Sequence, residues 1–174
     1  MLLVDAGCEY EMYAADITRT FPVSGKFSDE QLAIYKVVLD AMNAAIDMVK
    51  PGNHIMQPQE ISEKVITEGL VKLGLLDGDP EELHKSGAYK EFYMHKIGHW
   101  LGLDVHDAGD YVEGEEYMKF KPGMITTIEP GIYISSSMDI DDKWKGIGIR
   151  IEDDILVTKD GNENLTKKVP SDPE

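Results

Sequence analysis

Asp5, Asp16, His99, Glu129 and Glu152 each end or interrupt a strongly apolar run, and together they offer four carboxylates and one imidazole from separate parts of the chain. That donor set suits a pair of hard divalent cations. Carboxylate oxygens favour Mg, Ca or Mn, a single imidazole admits Mn, Co, Fe or Zn, and the only thiol is Cys8. Two ions roughly 3.5 to 4 Å apart lower the pKa of a water between them and stabilise the oxyanion that hydrolysis creates. The chemistry to expect is metal-assisted hydrolysis. Any one of these carboxylates alone reads as a solvated or turn-capping group. As a set they differ, because Asp16 sits between Ala15 and Ile17, Glu129 follows Thr126-Thr127-Ile128, and Glu152 follows Ile149-Arg150-Ile151. Burial at such positions demands compensating positive charge.

The other histidines and reactive groups divide by context. His95 and His99 are four apart, like the pair on a zinc-protease helix, but Lys96 stands where the glutamate would follow the first histidine and Gly98 interrupts a helix. The zinc-helix reading fails. His54 and His84 match no motif and are expected at the surface, Cys8 is read as a packing residue, Trp100 as core, and Arg19 as a structural ion-pair partner.

The elements that must position these groups can be read from periodicity. Residues 2–4 and 12–22 are expected as strands of a hairpin through Ala6-Gly7-Cys8-Glu9, which brings Asp5 and Asp16 together. Ser28 with Gln31 forms a capping-box pattern. Leu32, Tyr35, Val38, Leu39, Met42, Ile46 and Val49 then recur at helical spacing until Lys50-Pro51-Gly52. A second helix is expected over residues 59–73 and a short third after Asp79-Pro80. Residues 92–95, 124–129, 131–134 and 147–157 read as strands, the last closing through Asp160-Gly161. Residues 111–122 and 135–146 read as irregular loops, and 169–174 as a short tail. The fold class is α+β, mostly antiparallel, in one domain spanning residues 1–174.

Composition narrows the partners. With 17 Lys plus Arg against 33 Asp plus Glu the formal charge is −16, which disfavours nucleic acid and anionic membrane and favours cations. Runs such as 79–82 and 113–116 are ordinary solvated acid surface. The start MLLVDAGCEY is neither a signal peptide nor a membrane anchor, and one cysteine suits a reducing compartment, so a cytoplasmic location is expected.

The segments VDAG, YAADITRTFPVSGKF, GHWLGLDVHDAG, PGMITTIEPGIYI and GIGIRIEDDILVT occur in that order. On these segments the chain resembles the Xaa-Pro aminopeptidase (aminopeptidase P) group of metallopeptidase family M24. The resemblance implies the pita-bread fold, a curved antiparallel sheet backed by helices around a dinuclear centre. It implies that Asp16 and Glu152 bridge both ions, that Asp5 completes one and that His99 with Glu129 completes the other. It also implies two divalent ions, manganese first with cobalt or zinc as alternatives, and a metal-bridging hydroxide that attacks the Xaa-Pro bond. Glu129 would then shuttle the proton to the leaving proline nitrogen. His95 and His106 would hold the peptide carbonyl and stabilise the tetrahedral intermediate, Arg150 would order the substrate side, and Tyr133 would flank the pocket.

The family carries more fold ahead of the VDAG strand, so the chain is expected to be truncated at its N-terminus, with a further pocket histidine outside it. An exposed sheet edge should follow, covered by a preceding segment or a second copy. Lys96, where relatives commonly have glycine, places a cation at the mouth of the site. Proline dipeptidase is the nearest alternative function. An inactive fragment or a non-catalytic peptide-binding module is the alternative of another class.

Overall fold

In the computed structural model, which describes residues 1–173, the chain opens with strands β1 (Leu2–Asp5), β2 (Glu9–Tyr10), β3 (Tyr13–Ala14) and β4 (Thr18–Phe21). β1 pairs antiparallel with β4, from Leu2 opposite Phe21 to Asp5 opposite Thr18. The expected hairpin therefore forms, but its second strand begins at Thr18 rather than at residue 12. Residues 9–14 fold back on themselves instead, through Glu11 and Met12 at φ 51° and 72°, the left-handed pair that a tight two-residue hairpin turn requires. Asp16 is left just ahead of β4, outside any ladder.

Helix α1 (Asp29–Ile46) starts on both halves of the capping box: Gln31 N–H donates to Ser28 Oγ and Ser28 N–H donates to Gln31 Oε1. It ends four residues before the expected stop at Lys50. Helix α2 (Gln57–Lys72) starts two residues earlier than expected, with Pro58 in its first turn, and α3 (Pro80–Ser86) is capped by the Asp79 carboxylate. The apolar stripe of α1, including Ile34, Val38, Ala41 and Ala45, is fully buried, as are Ile66 and Leu70 of α2. Each large side chain so buried stabilises by about 1.5–3 kcal/mol. Gly69 lets the two helices close, since a β-carbon there would lie 2.4 Å from Val37 Cγ1.

The second half is β-rich: β5 (Val112–Glu113) and β6 (Glu116–Tyr117) form a hairpin inside the stretch expected to be irregular. They are followed by β7 (Ile125–Ile128), β8 (Gly131–Tyr133), β9 (Gly148–Arg150), β10 (Asp153–Val157) and β11 (Asn162–Asn164). All the paired strands are antiparallel, and β10 lies between β7 and β11. The α+β expectation holds. Helix α1 packs on β7, β8 and β9, placing the core between helices and sheet.

Two strand expectations are corrected. Residues 92–95 are not a strand: a 3₁₀ turn at Ala88–Glu91 precedes them, and the N–H groups of Phe92 and Tyr93 both donate back to the Tyr89 carbonyl. Those donors are used in a turn and cannot join a ladder. The run 147–157 is not continuous either, because it breaks at Ile151-Glu152 between β9 and β10. The tail is corrected as well: Arg19 donates to the carbonyls of Val169 and Pro170, and the Tyr35 hydroxyl donates to that of Ser171. Residue 174 lies outside the described residues.

Candidate metal centre

The break between β9 and β10 faces a break between β7 and β8. Ile128 pairs with Asp153 and Gly131 with Arg150, so a single register runs through both breaks and sets Glu129 opposite Glu152. On the outer side of Glu152, its N–H donates to the Thr18 carbonyl, and Thr18 is the cross-strand partner of Asp5. On the outer side of Glu129, its N–H donates to the Ile97 carbonyl at 2.7 Å. Thr127 N–H to His99 O and Leu101 N–H to Ile125 O extend this pairing, so residues 97–101 run antiparallel along β7. Sequence reasoning expected extended pairing a few residues earlier, at 92–95. Gly98 makes the approach possible, because a β-carbon there would lie 1.9 Å from the Thr127 carbonyl oxygen.

One row across the sheet thus carries Asp5, Thr18, Glu152, Glu129 and the His99 segment. Ligating atoms of Asp16, His99 and Glu152 lie within 4.8 Å of one another. His99 Nε2 is 3.4 Å from both Asp16 Oδ2 and Glu129 Oε1. Asp5, which is exposed, lies against Asp16, whose carboxyl it helps to raise, and forms an ion pair with Arg150 Nη2 at 2.5 Å. The structure brings all five predicted ligands to one place.

The chemistry of the donors fits divalent cations. His99 Nδ1 lies 3.0 Å from the Trp100 carbonyl, which can only accept, so Nδ1 carries a hydrogen and, when the ring is neutral, Nε2 keeps the lone pair that a cation takes. Glu152 is 1% exposed; the Thr18 hydroxyl donates to its Oε2 at 2.6 Å, while Oε1 is buried with no partner. Burial, followed by the charge of Glu129, pushes the Glu152 carboxyl up to about 8. Burial also raises Asp16, with the hydrogen bond and charge of Asp5 adding to it. Packed acids raised in this way hold protons that a bound cation would displace.

An open cavity of about 900 Å³ lies over this row, lined by His95, Lys96, His99, His106, Glu129 and Arg150, with Tyr111, Val112 and Tyr117 of the β5–β6 region as its far wall. His106 is exposed and its ring meets that of His99 edge-on at 4.3 Å. His95 uses both ring nitrogens within the chain: Nδ1 donates to the Lys96 carbonyl at 2.8 Å, and Nε2 accepts from the Tyr133 hydroxyl at 2.8 Å when the ring is neutral. Neutral His95 therefore has no spare N–H, which leaves His106 as the histidine free to donate. Arg150 is bound to Asp5 and its Nε donates to Thr18 Oγ1 at 3.3 Å, so it orders the row from one flank.

Several groups that sequence reasoning passed over support the site. Thr127 Oγ1 accepts from His99 N–H and donates to Glu129 Oε1 at 3.2 Å; with Thr18 it places a hydroxyl beside each of the facing glutamates. A threonine two residues before Glu129, on the same strand face, was the available signal for the first; Thr18 meets Glu152 from 134 positions away, and nothing local in the sequence marks it. Arg19 is structural as expected, 4% exposed and paired with Asp153 at 2.7 Å, and Trp100 is core. Cys8 is exposed, which corrects its reading as a packing residue. His54 and His84 are half-buried rather than free on the surface, His54 against Tyr117 and His84 between Glu63 and Tyr89. Neither joins the centre. Among the described residues no helix is long and apolar enough to cross a membrane.

A bent antiparallel sheet that gathers buried carboxylates and one histidine beneath an open cavity defines a divalent-metal-binding domain. The chain belongs to metallopeptidase family M24, whose profile matches residues 1–159. It is 52% identical to the Xaa-Pro aminopeptidase of Haemophilus influenzae and 48% identical to that of Escherichia coli, over 99% and 100% of its own length. It spans about 40% of the length of these relatives. Among solved structures it matches Pseudomonas aeruginosa aminopeptidase PepP at TM-score 0.95 and 56% identity, covering 97% of this chain and 38% of that one. It matches zinc-substituted Escherichia coli aminopeptidase P in complex with product at 0.94 and 48%, covering 98% and 39%. The fold is the pita-bread fold of that family, and the family implies divalent metal ions.

Proposed function

We propose that residues 1–174 are part of the catalytic domain of a dinuclear aminopeptidase that releases the first residue from peptides with proline second. The observation that carries this reading is the single row that sets Asp5, Glu152, Glu129 and the His99 segment on neighbouring strands, with Asp16 beside His99. The names of the relatives supply the proline preference, and the oxygen-rich donor set favours manganese, with cobalt or zinc able to replace it. A cytoplasmic location accords with the chain's single cysteine.

In this reading Asp5, Asp16, His99, Glu129 and Glu152 hold two divalent ions. When bound, such ions lower the pKa of a shared water and stabilise negative charge on the scissile carbonyl oxygen. Glu129 Oε1 is held by the Thr127 hydroxyl, and its carboxylate takes the proton of the attacking water and delivers it to the proline nitrogen. That nitrogen has no hydrogen of its own in the peptide, so the C–N bond breaks only once it is protonated. His106, at the mouth of the cavity, donates to the substrate carbonyl, and the His95–Tyr133 pair shapes the adjoining wall.

The test is elemental analysis of the purified chain after manganese loading, followed by assay of first-residue release from an Xaa-Pro-Xaa peptide with and without chelator. Two ions per chain and chelator-sensitive release are expected. A chain that hydrolyses an Xaa-Pro dipeptide faster than the tripeptide would instead be a proline dipeptidase. A folded chain that binds the peptide without any metal would be a binding module.

A further inference from the structure

The acid that follows the Glu152-Asp153 pair has no part in the ligand set, yet it is built into the centre. Asp154 is 3% exposed, and its Oδ2 accepts the backbone N–H of Asp16 at 3.2 Å, from 138 positions away in the chain. Its other oxygen, Oδ1, is buried with no hydrogen-bond partner. The cause is register: Glu152 bridges Thr18 in antiparallel sense, so two residues further along Asp154 comes opposite Asp16. Asp16 lies outside β4, and there the Asp154 side chain accepts the N–H that a ladder carbonyl would otherwise take.

Asp154 is itself tightly held. Its N–H donates to Thr166 Oγ1 and its carbonyl accepts from Leu165 N–H, while Thr166 Oγ1 also donates to Asp153, the partner of Arg19. The backbone of Asp16 is thus tied to the most buried part of the sheet, whereas the neighbouring residues 7–14 are largely exposed. A carboxylate in this place costs the desolvation of a charge, which a neutral acceptor such as asparagine would avoid. The negative charge becomes favourable when cations occupy the centre next to it.

We propose that Asp154 is a positioning residue for the metal centre: it fixes Asp16 in ligating position and adds negative charge behind it, at the expense of metal-free stability. This rests on the metallopeptidase reading above, and its test is chosen to separate the two. Mn binding to the full 174-residue chain and to Asp154→Asn and Asp154→Ala variants is measured by calorimetric titration. Thermal unfolding of each is followed in chelator.

Removing a group that orients a metal ligand typically weakens affinity about 10- to 100-fold. The expected result is a loss in that range for Asp154→Ala and a smaller loss for Asp154→Asn, which keeps the acceptor but not the charge. In chelator, Asp154→Asn should unfold at an equal or higher temperature than the parent. A structural role alone predicts the reverse, with lower metal-free stability and unchanged affinity per folded chain, and that pattern would overturn the proposal. Unchanged affinity in both variants beside a metal-binding parent would overturn it too, while leaving the metallopeptidase reading intact. A parent chain that binds no Mn would remove both.

Discussion

Glu129 and Glu152 face each other at a break in a continuous antiparallel register, where neither glutamate N–H bonds across the pair and the mutual backbone bond at the break is Ile151 N–H to Pro130 O at 3.4 Å. Pro130 has no N–H, and the backbone donors of the two glutamates point outward, to Ile97 O and Thr18 O. This is the geometry of a non-hydrogen-bonded pair, in which opposing side chains come closest. Two like charges so placed repel each other until a cation lies between them.

Stability without metal should therefore fall as pH rises. A carboxyl raised from 4.5 to about 8 stays protonated in the folded chain while it ionises in the unfolded one. Its favourable contribution is complete below pH 4.5 and is lost as pH climbs through about 8, by on the order of a few kcal/mol. Urea unfolding in chelator at pH 5, 6.5 and 8 reads this directly. Glu152→Gln should flatten the slope, and it should abolish the rise in melting temperature that Mn produces in the parent at pH 8.

Gly98→Ala tests the close approach of the His99 segment to β7. The added methyl meets backbone, the Thr127 carbonyl, so no side chain can swing aside. Overpacking of this kind costs about 1–3 kcal/mol. His99 should move away from Asp16 and Glu129, so Mn affinity should drop more than tenfold while helical circular dichroism stays at the parent level. Parent-like affinity would show that the segment does not need this contact.

Arg19→Met removes a cation from a pair whose side chains are 5% and 3% exposed. It leaves Asp153 charged and buried and frees the carbonyls of Val169 and Pro170. Breaking such a pair from one side destabilises by about 3–5 kcal/mol. Denaturant unfolding should show that loss, and Arg19→Met with Asp153→Leu together should recover much of it. Equal stability of the single and double variants would sink the explanation.

Lys96 is exposed and lines the cavity, in which Glu129 is the one acidic lining residue among the described residues. A cation there should attract the free carboxylate of a short peptide. For an Xaa-Pro-Xaa substrate Lys96→Gln should raise KM about three- to fivefold, the ~1 kcal/mol of an exposed ion pair, with kcat little changed. The C-terminal amide of the same peptide should be unaffected; an equal change for both would assign Lys96 no role with the carboxylate.

Sequence by itself singled out the residues that the fold gathers around one row, and the type of most elements. Carboxylates that interrupt apolar runs must be buried against something positive, and the capping box at Ser28, the Asp79-Pro80 start and the Asp160-Gly161 turn are local signals with local causes. Tertiary structure decided what depends on neighbours. Whether residues 92–95 or 97–101 pair along β7 was settled by which N–H groups meet a partner, and the break at Ile151-Glu152 by what lies opposite it. The Asp154 carboxylate beneath Asp16 depends on a register between segments 138 positions apart, and the tie from Arg19 to the C-terminal carbonyls on one 150 apart or more. No periodicity along the chain encodes such distances, because they follow from how strands align once the core has closed.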